Sequence, residues 1–294
     1  MLRVADESEA RSAVLRRAAH GGDMRRLRRG VYVGADHWAE AGADRQHVLE
    51  VRAVVAMTRT PMLISHRSAA AVWGLPVVGV PDTAVHATVP GLSGPDSRLT
   101  FIRHASAAPV SADEVDGIPV TTVARTVVDL ARVHGFLAAV AAGDAALHRG
   151  IVTHDELAME LDRAGKSRGV RTARDAVSFV DGRSESPGES LSRVRMHELG
   201  LVAPDLQYVV CDRHGFVGRV DFWWEAVRVV GEFDGRSKYG IDEATRTAAD
   251  QVWDEKLRED RLRATGLTVV RWTWADAWAG VPMAARLRAA RVRG

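Results

Sequence analysis

Three acidic side chains stand where a strand would be expected to carry apolar ones. Asp221 lies inside Val220-Asp221-Phe222-Trp223-Trp224, and Glu232 and Asp234 lie in Val229-Val230-Gly231-Glu232-Phe233-Asp234-Gly235. Successive side chains of a strand point to opposite faces, so Glu232 and Asp234 share one face. If the two strands pair as neighbours, Asp221 reaches the same end. Carboxylates brought together repel one another and resist burial, and a divalent cation removes that cost. Mg²⁺ takes a few carboxylate oxygens together with water and substrate phosphate. A metal held in this way activates water and stabilises charge on a phosphate during cleavage. The three acids therefore point to Mg²⁺ or Mn²⁺ as cofactor and to phosphodiester hydrolysis as chemistry.

Other residues join this set by position. Glu189, near the start of a helix, offers a further carboxylate, and Gln207, on the first strand, would orient a water or a ligand. Lys238 follows Asp234 by four residues and would stabilise charge developing on the phosphate. Lys256 and Asp260 stand four apart on one helix face. Each has a structural alternative. Ser186-Pro187-Gly188-Glu189 is a capping box, which by itself accounts for Glu189. Asp234-Gly235 is also an ordinary strand ending, and Lys256 with Asp260 reads as a solvated helix pair. Asp221, inside an apolar strand, is the hardest to account for in structural terms.

The elements that must position these residues follow from periodicity. A helix runs from Pro187 to about Leu199 and stops at Gly200; strands are expected near 206–211, 216–224 and 227–234. A long helix is expected over roughly 242–265, then a strand at 267–274 and a closing helix. This α-β-β-β-α-β order implies one mixed sheet flanked by helices. Six of the eight tryptophans fall here and supply a core. Upstream, helices are expected at 7–20, 45–57, 66–73, 123–133, 137–149 and 153–164, with strands near 83–89 and 99–104. The last of these helices opens on the capping box Thr153-His154-Asp155-Glu156. Residues 165–188 are rich in Gly and Ser around one short helix, and a domain boundary is placed there.

The chain of 294 residues is long enough for two or three domains, and 46% apolar with 27% charged residues makes it globular. One cysteine, Cys211, permits no disulfide within the chain and favours a reducing compartment. With no signal-peptide core and no apolar run approaching the roughly 18 residues of a membrane helix, a cytoplasmic protein with no membrane partner is expected. The net charge of +2 identifies no partner, but its distribution is uneven. Arg25, Arg26, Arg28 and Arg29 crowd the seven residues Met24–Gly30, which read as a basic turn or short helix leading into the strand Val31-Tyr32-Val33. Such arginines suit phosphate contacts on DNA; the alternative is a solvated turn. His66, Arg67 and Ser68 offer a functional reading; the alternative, a helix start packed on Trp73, accounts for them better. Thr121, Thr122, Arg125 and Asp129 read as a cap and an i,i+4 pair.

Two resemblances add to this reading. Residues 186–275 resemble the C-terminal domain of a bacterial group related to very-short-patch-repair endonucleases, within the PD-(D/E)XK, or restriction-endonuclease-like, superfamily. The matching pieces are SPGES (186–190), LGLVAPDLQ (199–207), GRVDF (218–222), VVGEFDGRSKY (229–239) and EKLREDRLRATGLTVVRWTW (255–274). The resemblance implies that Asp221 and Glu232 bind metal and that Glu189 and Gln207 match the helix acid and first-strand glutamine. Asp234 stands where the superfamily more often has lysine and this group commonly has Asp; Lys238 stands where the group often has histidine.

The N-terminal half, through RRLRRGVYV (25–33), ISHRSAAAVWGLP (64–76), GIPVTTVARTVVDLA (117–131) and GIVTHDEL (150–157), resembles the AbiEi-type antitoxin and transcriptional-regulator family. That implies a winged helix-turn-helix before a mixed α/β domain, operator DNA as partner, and a cognate toxin protein. The expected architecture is α/β, or α+β overall: a winged-helix-like DNA-binding segment at 1–60, a mixed α/β domain at 61–165, a linker at 166–185 and a nuclease-like domain at 186–294. Two functions compete: a Mg²⁺-dependent endonuclease placed on DNA by its N-terminal half, and an antitoxin-type DNA-binding autoregulator whose nuclease-like domain is catalytically silent.

Overall fold

The computed structural model describes residues 2–3, 9–79, 83–92, 94, 96–98, 100–106, 109–235, 261–262 and 264–294. The fold is mixed α/β. Contacts divide the chain into two compact units, Met1–Ala142 with Ile151–Phe179, and Gly143–Gly150 with Val180–Gly294. Among the described residues no helix is long and apolar enough to cross a membrane.

The first unit begins with β1 (Leu2–Arg3), α1 (Glu9–Gly21), β2 (Met24–Arg28) and β3 (Val31–Gly34), the strands forming an antiparallel sheet in the order β1-β3-β2. The arginine-rich stretch is thus a β-hairpin rather than a turn or short helix running into a strand. Its turn is made at Gly30, whose φ of 78° is open to glycine, and the register shifts between Arg26 and Arg28. The hairpin holds because Leu27, Val31 and Val33 alternate onto one buried face against Ala53. Helices α2 (Ala35–Glu40) and α3 (Ala43–Met57) follow.

Next come β4 (Leu63–Ile64), α4 (His66–Val72), β5 (Val85–Pro90), β6 (Asp96–Arg98), β7 (Phe101–Ser106), β8 (Ala112–Val115) and β9 (Ile118–Thr121), in a six-stranded sheet ordered β6-β7-β5-β4-β9-β8. Val51, Ile64, Val85, Ala87 and Val120 form its core. Four helices complete this stretch of chain: α5 (Val123–His134), α6 (Phe136–His148), α7 (His154–Ala164) and α8 (Val170–Phe179). Thr122 caps α5 by accepting from the Arg125 N–H at 3.3 Å, and Thr153 with Glu156 closes a reciprocal capping box on α7.

The second unit holds α9 (Pro187–Glu198), β10 (Asp205–Asp212), β11 (Gly215–Trp224), β12 (Val229–Asp234), β13 (Thr268–Thr273), α10 (Trp274–Ala279) and α11 (Val281–Ala289). Its sheet runs β10-β11-β12-β13, antiparallel except for the parallel β12–β13 pair. Most of the helix expected over 242–265 lies outside the described residues; Arg261, Leu262 and Ala264 at its end are helical. Leu262 is fully buried with Val220, Trp223 and Val230. Trp272 is buried and donates its indole N–H to Ser192 Oγ at 2.8 Å, tying β13 to α9.

Asp144, on the part of α6 that belongs to the second unit, is fully buried. It accepts from the Asp181 N–H at 2.7 Å, Ser190 Oγ at 2.8 Å and Arg193 Nη1 at 2.7 Å. Burial pushes this carboxyl above its usual range, and Arg193 acts in the opposite direction. Removing the carboxylate would take the Asp144 counter-charge from a guanidinium that is only 10% exposed. Asp144→Ala is accordingly expected to destabilise the fold by about 3–5 kcal/mol, read as a shift in denaturation midpoint. Asp144→Asn, which keeps an acceptor for the Asp181 N–H, should lose less; equal losses would mean that the charge pairing with Arg193, and not the acceptor for Asp181, is what matters.

Candidate active site

The acids meet at one end of the second unit's sheet because of how β11 and β12 part. Their ladder runs from Trp224↔Val229 to Phe222↔Gly231, and one further step of the same register puts Asp221 level with Glu232. There the side chain of Asp221 takes over from the backbone: its Oδ2 accepts the Phe233 N–H at 2.8 Å. Glu232 is buried and pairs with Arg271 at 2.8 Å, its neighbour across the parallel β12–β13 register. Asp234, two residues on and on the same face, is exposed at the strand's end opposite Thr273.

The remaining two members come from α9 and β10. Ser186 caps α9, accepting the Glu189 N–H at 3.2 Å, with Pro187 in the first turn. The Glu189 carboxylate is buried and fully engaged, accepting from Ser186 Oγ at 2.6 Å, the Glu185 N–H at 3.0 Å and Gln207 Nε2 at 2.8 Å. Only half of the expected capping box forms: Ser186 caps the helix, while the Glu189 carboxylate takes the Glu185 N–H in place of that of Ser186 and also binds the first-strand glutamine. Gln207 has a φ of 55°, in the left-handed region that non-glycine residues seldom adopt. It lies between Leu206↔Phe222 and Tyr208↔Val220 in the β10–β11 register, level with Asp221. Gln207, Asp221, Glu232 and Arg271 thus occupy one row across four strands.

Two glycines allow this row to form. A Cβ on Gly188 would lie 2.0 Å from the Phe233 ring, so α9 approaches the end of β12 only with a bare backbone there. A Cβ on Gly231 would lie 2.6 Å from Trp272 and 3.0 Å from Trp224, both buried.

Lys238, Lys256 and Asp260 lie outside the described residues. Among the described residues the sheet-end acids are not drawn into a set with three ligand atoms all within 4.8 Å of one another. Arg271 is the member that sequence reasoning missed. Its signal was the one that singled out Asp221: a charge inside an apolar strand, here Val269-Val270-Arg271-Trp272.

Of the four hairpin arginines in the first unit, three make local contacts, Arg26 Nε donating to the Arg28 carbonyl at 3.3 Å. The Arg25 guanidinium lies 4.4 Å from the centre of the Trp38 ring. Arg28 pairs with Glu50 at 3.3 Å and donates to the Thr100 carbonyl at 3.2 Å. Arg26 and Arg29 are exposed.

No protein-family model matches the chain. Two proteins from different strains of Mycobacterium tuberculosis, each named only as an uncharacterized protein, are 31% identical to it over 143 residues, 49% of this chain and 50% of theirs. The chain therefore spans about half the length of the curated relatives it matches.

Gly231→Ala should test the packing behind the row. Two tryptophans must move to admit the methyl group, which costs about 1–3 kcal/mol. A lowered denaturation midpoint with altered tryptophan fluorescence is expected, whereas an unchanged midpoint would show that the indoles have room to give.

Proposed function

We propose that the second unit is a metal-dependent endodeoxyribonuclease acting in the cytoplasm, with DNA as partner of both units. The observation that carries this reading is the row Gln207-Asp221-Glu232-Arg271, closed by Glu189 from α9. Asp221 and Glu232 sit on neighbouring strands at the point where the ladder ends, and Asp234 follows on the Glu232 face. Their hard carboxylate oxygens are the donors that Mg²⁺ and Mn²⁺ prefer. These three residues would hold the ion, which when bound supplies an activated water and a counter-charge for the phosphate.

The chain's own groups do the rest. The Phe233 N–H fixes the orientation of Asp221. Gln207 and Ser186 fix that of Glu189, which makes them positioning residues. Arg271 neutralises Glu232 and places a guanidinium, 34% exposed, beside the acids, where it would meet the anionic oxygens of a phosphodiester. Lys238, in this reading, would add a second cation.

One observation favours the competing reading of an antitoxin-type autoregulator. A guanidinium already balances Glu232, so that carboxylate needs no metal to be stable where it is. In that reading the exposed Arg26 and Arg29 would contact DNA phosphates, and a toxin protein would be the second partner.

Supercoiled plasmid with Mg²⁺ or Mn²⁺ separates the two. The wild-type protein should nick or linearise it, chelator should abolish the cleavage, and Asp221→Ala and Glu232→Ala should fall to background. Gln207→Ala should lose about 10–100-fold, the usual cost of removing a residue that orients a ligand. Absence of cleavage by the wild type, together with metal-independent promoter binding that Arg26→Ala/Arg29→Ala weakens, would establish the regulator instead.

A further inference from the structure

Four histidines from separate elements converge in the first unit. His66 opens α4, His86 lies on β5, His104 on β7 and His134 at the end of α5. The β5–β7 register sets Thr88 opposite His104, and Thr88 shares a face with His86, so His86 and His104 point the same way. Above them the His66 ring stacks on His104 with centroids 3.7 Å apart and planes 18° apart. His86 Nδ1 lies 3.0 Å from His104 Nε2. His134 borders the group, its ring centre 5.1 Å from that of His86.

One nitrogen each of His66, His86 and His104 lies within 4.8 Å of the other two. A tetrahedral Zn²⁺ with bonds of about 2.0–2.1 Å spaces its nitrogens by about 3.4 Å, so the His66 and His104 rings would turn out of their stack to close the set. His66 and His86 are buried. Burial, then His104, His86, His134 and Arg125, hold the His66 ring well below its usual range. Ser65 Oγ lies 2.9 Å from His66 Nδ1, the kind of partner that orients an imidazole whose other nitrogen binds a metal. His66 also holds a φ of 54°, in the left-handed region that residues other than glycine seldom adopt.

His66 and His104 line a cleft of about 420 Å³ that Arg125, Arg132 and Arg163 also line. Three protein ligands leave a tetrahedral ion one open position. We propose that His66, His86 and His104 form a three-imidazole site for a borderline transition metal such as Zn²⁺, whose open position gives onto this arginine-lined cleft and takes water or a small anion. The site is chemically separate from the sheet-end acids, whose oxygen donors suit harder ions. On binding, the metal replaces the His86–His104 hydrogen bond.

The full chain, stripped with chelator, is titrated with Zn²⁺ and Co²⁺. One equivalent should bind with the visible absorption of tetrahedral Co²⁺, and X-ray absorption of the Zn²⁺ form should show imidazole scattering. His104→Gln should weaken the binding that gives the tetrahedral Co²⁺ spectrum by about 100-fold or more, since even supporting residues cost up to that much. No saturable binding by the wild type, a shell made only of carboxylate oxygens, or a tetrahedral Co²⁺ spectrum that survives His104→Gln would each overturn the proposal. The wild-type spectra keep the test decisive should the variant fail to fold.

Discussion

Where the ladder between β11 and β12 stops, the N–H of Phe233 needs an acceptor, and a buried N–H without one costs about 1–3 kcal/mol. The carboxylate of Asp221 meets that need. This one hydrogen bond explains an acid in the middle of an apolar strand and holds β12 beyond the end of its pairing. The register of the same two strands brings Asp221 level with Glu232. The rest of the arrangement follows from this hydrogen bond. Phe233, fixed at its backbone, lies against the bare Cα of Gly188, which seats α9. The seated helix delivers Glu189 to Gln207 on the far strand.

A second constraint runs through both units: carboxylates placed inside must be matched. Asp129 is fully buried and held by Arg125 at 2.7 Å and Arg132 at 2.9 Å; Glu160 binds Arg125 at 3.4 Å and Arg163 at 3.2 Å; Asp144 binds Arg193 at 2.7 Å. Burial pushes Asp129 upward, with Arg125 opposing it. These pairs give a physical reason for a chain with only three lysines among its 40 basic residues. A guanidinium offers several donors in a fixed fork and is less strongly hydrated than an ammonium, so it spans two buried acids where lysine would reach one. The arginines of the histidine cleft are these same side chains, held in place by Asp129 and Glu160.

Much of this was legible in the sequence where local rules decide. Helix ends at Ser186, Thr153 and Thr122 announced themselves through caps, and β10 to β13 through apolar runs. Asp221 and Glu232 stood out as charges in strands. The hairpin at Met24–Gly34 was harder to see because Arg25, Arg26, Arg28 and Arg29 hide the alternation of Leu27, Val31 and Val33. The β8–β9 hairpin carried a signal that went unused, Asp116-Gly117, whose φ values of 49° and 74° are those a tight turn demands. Arg271 was overlooked although it breaks an apolar run as Asp221 does. The histidines were beyond reach for a different reason: they come from four elements, and only the pairing of β5 with β7 and the placing of α4 bring them together.

Helix α6 changes allegiance along its length, since Ala142 belongs with the first unit and Gly143 with the second. The second unit therefore does not begin at Val180; it includes an eight-residue detour, Gly143–Gly150, threaded through the sequence of the first. Asp144, the acceptor for the Asp181 N–H, Ser190 and Arg193, sits on that detour. A gene fragment starting at Val180 would encode all of the sheet-end acids and still lack the residue that neutralises Arg193. The second unit is thus not a cassette that a single crossover moves intact: a transfer that leaves the end of α6 behind also leaves Asp144 behind.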